Sequence, residues 1–336
     1  MIREDWLNQH DEPIVDPELP ICDPHHHLWD HELSRYLLDE LLADAHSGHR
    51  VVSTVFVECA SMYRATGPES LRSVGEVEFV NGIAAMAASG NYGDVAVAAG
   101  IVSFADLTLG AALGPVLDAH AAASPRFRGV RHAAGWDASP EVRNSHTNPP
   151  QSLFLDASFQ AGVRMLGARG LTFDAWLYHS QLPELTVLAR TCPDTQIVLD
   201  HFGGPLGIGP YAGRQLEIFE RWRQDLVELA SCPNVVAKLG GLVMPINGFG
   251  LHKAPRPPSS DQLVELTAPY YRYAIEIFGS ERCMFESNFP VDKQSVSYRV
   301  LWNSFKKLVA DASASERRAL FHDTAVRTYR LETARP

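Results

Sequence analysis

A (β/α)8 barrel is the fold class this sequence predicts, and three observations predict it. Eight short runs rich in β-branched and apolar residues are spread along the 336 residues. Most intervals between them carry apolar residues at helical spacing, which is the alternation expected of parallel strand–helix units. No GxGxxG turn follows any run, which removes the dinucleotide-binding form of the open, doubly wound sheet, the main alternative. The length alone suggests roughly two domains at about 150 residues each, but one α/β barrel takes up 250 residues or more.

In order, the first 19 residues are polar and proline-dotted and predict an arm lying on the surface or against a partner, with the barrel over residues 20–336. The strand runs are Pro20–Asp23, Val51–Glu58, Val95–Phe104, Arg128–His132, Gly170–Phe173, Ile197–Asp200, Val235–Leu239 and Cys283–Phe285. Helices are expected over Glu76–Ala88, Leu182–Arg190 and Leu216–Ala230, where apolar residues recur at i, i+3 and i+4. A further helix, capped by Ser260 or Asp261, should run to about Phe278, with Pro269 bending it or shifting its start. After the seventh run, Gly240–Ser260 holds four prolines and four glycines. Such a loop above a barrel strand reads as a lid or substrate-contact segment, and His252 within it as a candidate contact.

Composition narrows the function. Hydrophobic residues make up 46% and charged residues 21%, which excludes a disordered chain. The longest nearly apolar stretch, Val95–Phe104, is far short of the about 20 residues that span a bilayer, and the charged N-terminus lacks a signal-peptide core. A cytoplasmic protein without membrane association is therefore expected. The net charge of −11 and scattered basic residues speak against nucleic acid as a partner. Five cysteines stand far apart without a CxxC pair, so neither a disulfide framework nor a cysteine-rich zinc knuckle is expected.

Candidate chemistry gathers at strand ends. In Asp23-Pro24-His25-His26-His27, His25 and His27 share one side of an extended backbone and His26 takes the other. Two converging imidazoles make half of a zinc-type site, or a pair of hydrogen-bonding groups. His201, where the sixth strand turns on Gly203 and Gly204, offers a third nitrogen, while Asp200 reads as a residue that caps or orients a neighbour. Glu286 and Asn288 fall on one side of the chain leaving the eighth strand, with Asp292 and Asp174 as further carboxyls. Arg131 can form a planar fork with a substrate carboxylate. Beside it stand His132, Glu58 on the second strand, and Trp176 and Tyr178 as an apolar wall for a ring-shaped substrate.

The motifs DPHHHLWD, VFVECASMYR, LTFDAWLYH, VLDHFGG and MFESNFPVDK run in order from about residue 20 to 330. Together they resemble the amidohydrolase-related (amidohydrolase 2) family of TIM-barrel metal-dependent hydrolases, and most of all its lactonase-like branch. The resemblance implies that His25, His27 and His201, with Glu286, hold one divalent ion, zinc, or polarise a substrate carbonyl directly. It departs from the pattern on the eighth strand, where related enzymes carry an aspartate in a GSD-type motif; here Asn288 stands in its place and Glu286 in that of the glycine. An amide cannot take a proton as a base, so either Glu286 takes over that role, helped by Asn288 as a donor, or the base is elsewhere, with Asp292 and Asp174 in reserve. The expected activity is hydrolysis of a carboxylate-bearing lactone by a cytoplasmic enzyme, with a second copy of the chain as candidate homodimer partner through the N-terminal arm. Non-oxidative decarboxylation of an unsaturated or aromatic acid is the rival, and an inactive ligand-binding barrel the remote alternative.

Overall fold

In the computed structural model, which describes residues 2–32 and 34–332, eight strands form one parallel sheet in sequential order. They are β1 Ile21–His26, β2 Val51–Val57, β3 Ala96–Ser103, β4 Phe127–Arg131, β5 Thr172–Ala175, β6 Ile197–Leu199, β7 Val235–Leu239 and β8 Cys283–Phe285. All eight predicted runs coincide with strands. The largest shift is in β1, which extends through His26 with irregular pairing between Asp23 and His26. The sheet curls until β8 meets β1. There Ser287 N donates to the Asp23 carboxylate at 2.9 Å, Asn288 N to the His25 carbonyl at 2.9 Å, and His27 N to the Phe289 carbonyl at 2.8 Å. The Asp23 side chain, also bonded by the Tyr298 hydroxyl at 3.0 Å, thus belongs to this seam.

A helix follows each strand: α1 Leu38–Ala45, α2 Val74–Ala87, α3 Leu113–Ala123, α4 Ala157–Ala168, α5 Leu182–Thr191, α6 Gln215–Ala230, α7 Ser260–Phe278 and α8 Tyr298–Leu308. The expected helices match α2, α5, α6 and α7 to within about two residues, the usual uncertainty of helix ends. The cap of α7 is Ser259, whose hydroxyl accepts from Gln262 N, and the helix runs on through Pro269. Leu263, Thr267, Tyr270, Tyr271, Ala274 and Phe278 are buried on both sides of the proline, and that packing holds the helix together across the missing hydrogen bond.

Side chains alternate in and out along each strand, and those pointing inward stack in layers. Cys22, Val55, Val57, Val102, Val198, Val236 and Met284 form a lower apolar layer, joined by Ala325, Tyr329 and Leu331 from the C-terminal segment. Two residues further along β4 to β8 the chemistry turns polar: Arg131, Asp174, Asp200, Lys238 and Glu286. The arm lies against its own chain. Trp6 and Leu7 are buried, Trp6 Nε1 donates to the Ala254 carbonyl, and Asn303 bonds to Glu12 and Pro13. Among the described residues no helix is long and apolar enough to cross a membrane.

Phe285 fixes the last strand. Its ring stacks on Phe305 at 4.7 Å and packs on Phe321 at 4.8 Å, fully buried. Truncation in Phe285→Ala is expected to lower stability by about 3–5 kcal/mol, read from denaturant unfolding midpoints.

Candidate functional site

The mouth of the barrel at the C-terminal ends of the strands brings His25, His27, His201, Glu58, Arg131, Asp200, Lys238 and Glu286 together, all buried. Each is delivered by an adjacent strand end. The turn after β6 is strained: His201 and Phe202 have φ of 50° and 58°, values that cost of order 1–3 kcal/mol in non-glycine residues. The glycines opening the long loop let the chain approach this turn. A Cβ on Gly241 would lie 2.4 Å from His201 Nδ1, and one on Gly240 would lie 2.2 Å from the Glu286 carbonyl oxygen.

Glu286 ties two imidazoles together. His201 Nδ1 lies 2.6 Å from Oε1, and His25 Nδ1 lies 2.9 Å from Oε2. His27 Nδ1 bonds to the Val57 carbonyl at 2.8 Å. With the Nδ1 proton of His201 and of His27 donated in this way, the lone pair of each sits on Nε2. Such anchoring of one nitrogen by a carboxylate or carbonyl is the arrangement that orients metal-binding histidines. Burial, and then the positive charge of Lys238, hold His25 well below the usual imidazole range; burial and Arg131 do the same for His27. Both rings are therefore neutral, as a ligand requires. His26 points away and bonds Thr54 Oγ1 at 2.9 Å.

A cation fits this donor set. Donor atoms of His25, Asp200 and His201 lie within 4.8 Å of one another, and the buried Asp200 carboxylate has Lys238 Nζ 3.1 Å from Oδ1 and no hydrogen-bond partner at Oδ2. The His27 ring lies 5.0 Å from that of His25. Relative to the expected set of His25, His27, His201 and Glu286, the tightest group thus contains Asp200, and Glu286 lies beside Nδ1 of both His25 and His201. Nitrogen and carboxylate donors of this kind suit zinc.

Lys238, fully buried in β7, is a cation already within this layer. Its Nζ is 2.8 Å from Asp174 Oδ2, 3.1 Å from Asp200 Oδ1 and 3.3 Å from His25 Nδ1. Burial opposes its charge, but Asp174 and Asp200 raise its pKa above the ordinary lysine value. Asp174 also accepts from Thr172 and Tyr329, so it is saturated by structure. Arg131 places Nε 2.7 Å from Glu58 Oε1, while its NH1 lies 3.4 Å from His25 Nε2 and 3.7 Å from Asp200 Oδ2. Burial works against ionised Glu58, yet Arg131 and His146 hold its pKa at about 2. His146, exposed on the loop after β4, reaches Glu58 Oε2 at 3.1 Å.

The remaining candidates divide. Trp176 meets the His201 ring edge-on at 5.0 Å and Tyr178 at 5.9 Å, forming a wall with Leu206, Ile208 and Ile246. Asn288, at φ 55°, turns its amide to Asp292 Oδ1 at 3.3 Å. Burial, then Glu286, push the Asp292 carboxyl well above its usual range. His132 faces outward from β4, accepting from Leu107 N and packing on Phe104 and Phe159, where it lines a separate cleft of about 700 Å³. His252 has its carbonyl bonded by Arg3, and no described hydrogen bond or ion pair links it to the histidines. Sequence reasoning missed Lys238 and His146. A lysine in the apolar run VVAKL is a readable sign of buried acids around it, whereas SHTNPP around His146 carries no such sign.

Comparison with known proteins agrees with this geometry. An uncharacterized protein, y4mH, of Sinorhizobium fredii is 32% identical over 94% of this chain and 99% of its own. An L-fucono-1,5-lactonase of Burkholderia multivorans is 31% identical over 61% of this chain and 64% of its own. The crystal structure of an amidohydrolase from Burkholderia multivorans with bound zinc superposes with a TM-score of 0.70 at 25% identity, covering 93% of this chain and 99% of that one. The amidohydrolase family model matches residues 22–331, and the chain belongs to that family.

Proposed function

We propose that the protein opens a lactone, a cyclic ester, by attack of water on the ring carbonyl. The observation that carries this reading is Glu286 bonded to His201 and His25 beside the Arg131 guanidinium, in a buried site at the barrel mouth. The likeness to an L-fucono-1,5-lactonase supports it. His25, His201 and Asp200, with His27 beside them, are the residues that would hold one divalent ion. When bound, such an ion supplies Lewis-acid polarisation of the carbonyl and a more acidic water.

The chain's own residues supply the rest. Glu286 Oε2, fully buried and 2.9 Å from His25 Nδ1, is the group that takes the proton of the attacking water. As the water oxygen bonds to the carbonyl carbon, negative charge develops on the carbonyl oxygen, and the Arg131 guanidinium provides fixed positive charge against it. The ring C–O bond then breaks, and the proton held at Glu286 passes to the leaving alkoxide. The product is a hydroxy acid, which releases one proton at neutral pH. Trp176 and Tyr178 form the apolar side of the ring's site and exclude water from it.

Proton release over a panel of aldonolactones and muconolactone-type acids tests the reading. Glu286→Gln keeps the size of the side chain and is expected to lower turnover by about 10²–10⁴-fold with unchanged folding by circular dichroism. Activity within a few-fold of wild type would remove Glu286 from the role of base. Chelation is expected to abolish turnover, with recovery on adding zinc. Turnover indifferent to chelation would leave the histidines as direct hydrogen-bonding partners of substrate. No ring opening across the panel would overturn the lactonase reading.

A further inference from the structure

Resting on that reading, we infer that Glu76 is a positioning residue for Arg131, which it holds in place through the peptide that joins Glu58 to Cys59. Glu76 lies in the first turn of α2 and is fully buried. Its Oε1 accepts from Cys59 N at 3.0 Å and from Ser61 N at 2.7 Å. The carbonyl of that same Glu58–Cys59 peptide accepts from Arg131 NH2. A peptide is planar and trans, so its N–H and C=O point in opposite directions, and fixing one fixes the other. The Glu58 side chain, which meets Arg131 Nε at 2.7 Å, springs from the same backbone. Two nitrogens of the guanidinium are thus aimed by one short stretch of chain. NH1 is left facing His25 Nε2 at 3.4 Å, where the proposed reaction develops charge on the carbonyl oxygen.

The turn after β2 needs such a holder. Ala60 and Met62 have φ of 59° and 53°, left-handed values that non-glycine residues rarely adopt. With Ala60 turned this way, the N–H groups of Cys59 and Ser61 converge on one oxygen. The helix comes close enough because residue 75 is glycine: a Cβ there would lie 2.7 Å from the Met62 carbonyl oxygen and 2.7 Å from Arg64 N. Glu76 Oε2 is buried without a hydrogen-bond partner, so Oε1 alone holds the turn. Burial, and then the ionised Glu58, push the Glu76 carboxyl up to about 8, which makes it a neutral acceptor at neutral pH. Arg131 bears on it favourably from β4 but is ion-paired to Glu58. The Cys59 thiol and the Tyr63 phenol, the other titratable groups of the turn that face it, are held neutral by burial well above their usual ranges. Above about pH 8 Glu76 becomes a second anion behind Glu58, and their repulsion works against the turn.

Two variants separate positioning from mere packing. Glu76→Leu removes the acceptor at similar size, whereas Glu76→Gln keeps an oxygen in the place of Oε1. Both are assayed as purified, by proton release on whichever lactone of the panel the wild type opens fastest, with folding followed by circular dichroism. Glu76→Leu is expected to lower kcat by about 10–100-fold with KM within about two-fold, because a displaced Arg131 costs charge stabilisation in the transition state and not substrate binding. Glu76→Gln should restore kcat at neutral pH. Across pH, the wild type should lose kcat as pH rises through about 8, and Glu76→Gln, which cannot ionise, should keep it. A folded Glu76→Leu whose kcat stays within about two-fold of wild type, or whose loss lies in KM alone, overturns the inference and leaves the lactonase reading standing. So does a Glu76→Gln that loses as much as Glu76→Leu. Superimposed pH profiles of wild type and Glu76→Gln overturn it as well, and the profiles decide alone if Glu76→Leu does not fold. A wild type that opens no lactone overturns the lactonase reading and this inference with it.

Discussion

Burying carboxylates inside a barrel is the constraint on which the rest of this structure depends. An ion moved into the interior without a partner costs several kcal/mol, and removing one member of a buried pair typically costs about 3–5 kcal/mol. Glu58, Asp174, Asp200 and Glu286 remain because Arg131 and Lys238 stand between them, with Thr172 and Tyr329 meeting the remaining lone pairs of Asp174. That compensation fixes the positions of the histidines. His25 sits between Glu286 and Lys238 on one nitrogen and Arg131 on the other, and so has one available orientation. The geometry of the candidate site and the electrostatic stability of the core are therefore one network.

Much of this was readable beforehand, for definable reasons. Strand runs such as Val51–Glu58 and Ile197–Asp200 are apolar because both barrel faces are covered, and they end on a carboxylate. His25, His201 and Glu286 were found because imidazoles and carboxylates at strand ends are costly without a purpose. The pairing of those groups was not readable. That Asp200 joins the donor group, while Glu286 lies against Nδ1 of His25 and His201, depends on strand stagger and on a turn at positive φ, which periodicity does not encode. His132 adjoins Arg131 in sequence, yet alternation along β4 sends it to the opposite side. His146 lies on an irregular loop whose path follows from contacts such as Ser145 N to the Gly135 carbonyl at 2.8 Å. The sequence pattern carries no trace of that path.

Strain and close approach are concentrated at the same place. His201, Phe202 and Asn288 all occupy the left-handed region, and Gly240 and Gly241 leave no room for a side chain beside Glu286 and His201. The surrounding framework is well packed, with Phe202 against Tyr271 at 4.8 Å and Phe285 against Phe305. Rigid elements thus hold a turn that local preferences alone would not select.

The seam between β8 and β1 carries a further consequence. His25 comes from the first strand and Glu286 from just beyond the last, and the bonds joining their segments, Asn288 N to the His25 carbonyl and His27 N to the Phe289 carbonyl, form only when the sheet closes. During synthesis the first strand emerges more than 250 residues ahead of its partner. A growing chain can build strands, helices and most of its core while the two halves of the proposed reactive centre remain apart. Competence therefore arrives in a single late event, ring closure, and activity reports on a completed barrel more sharply than helix content does.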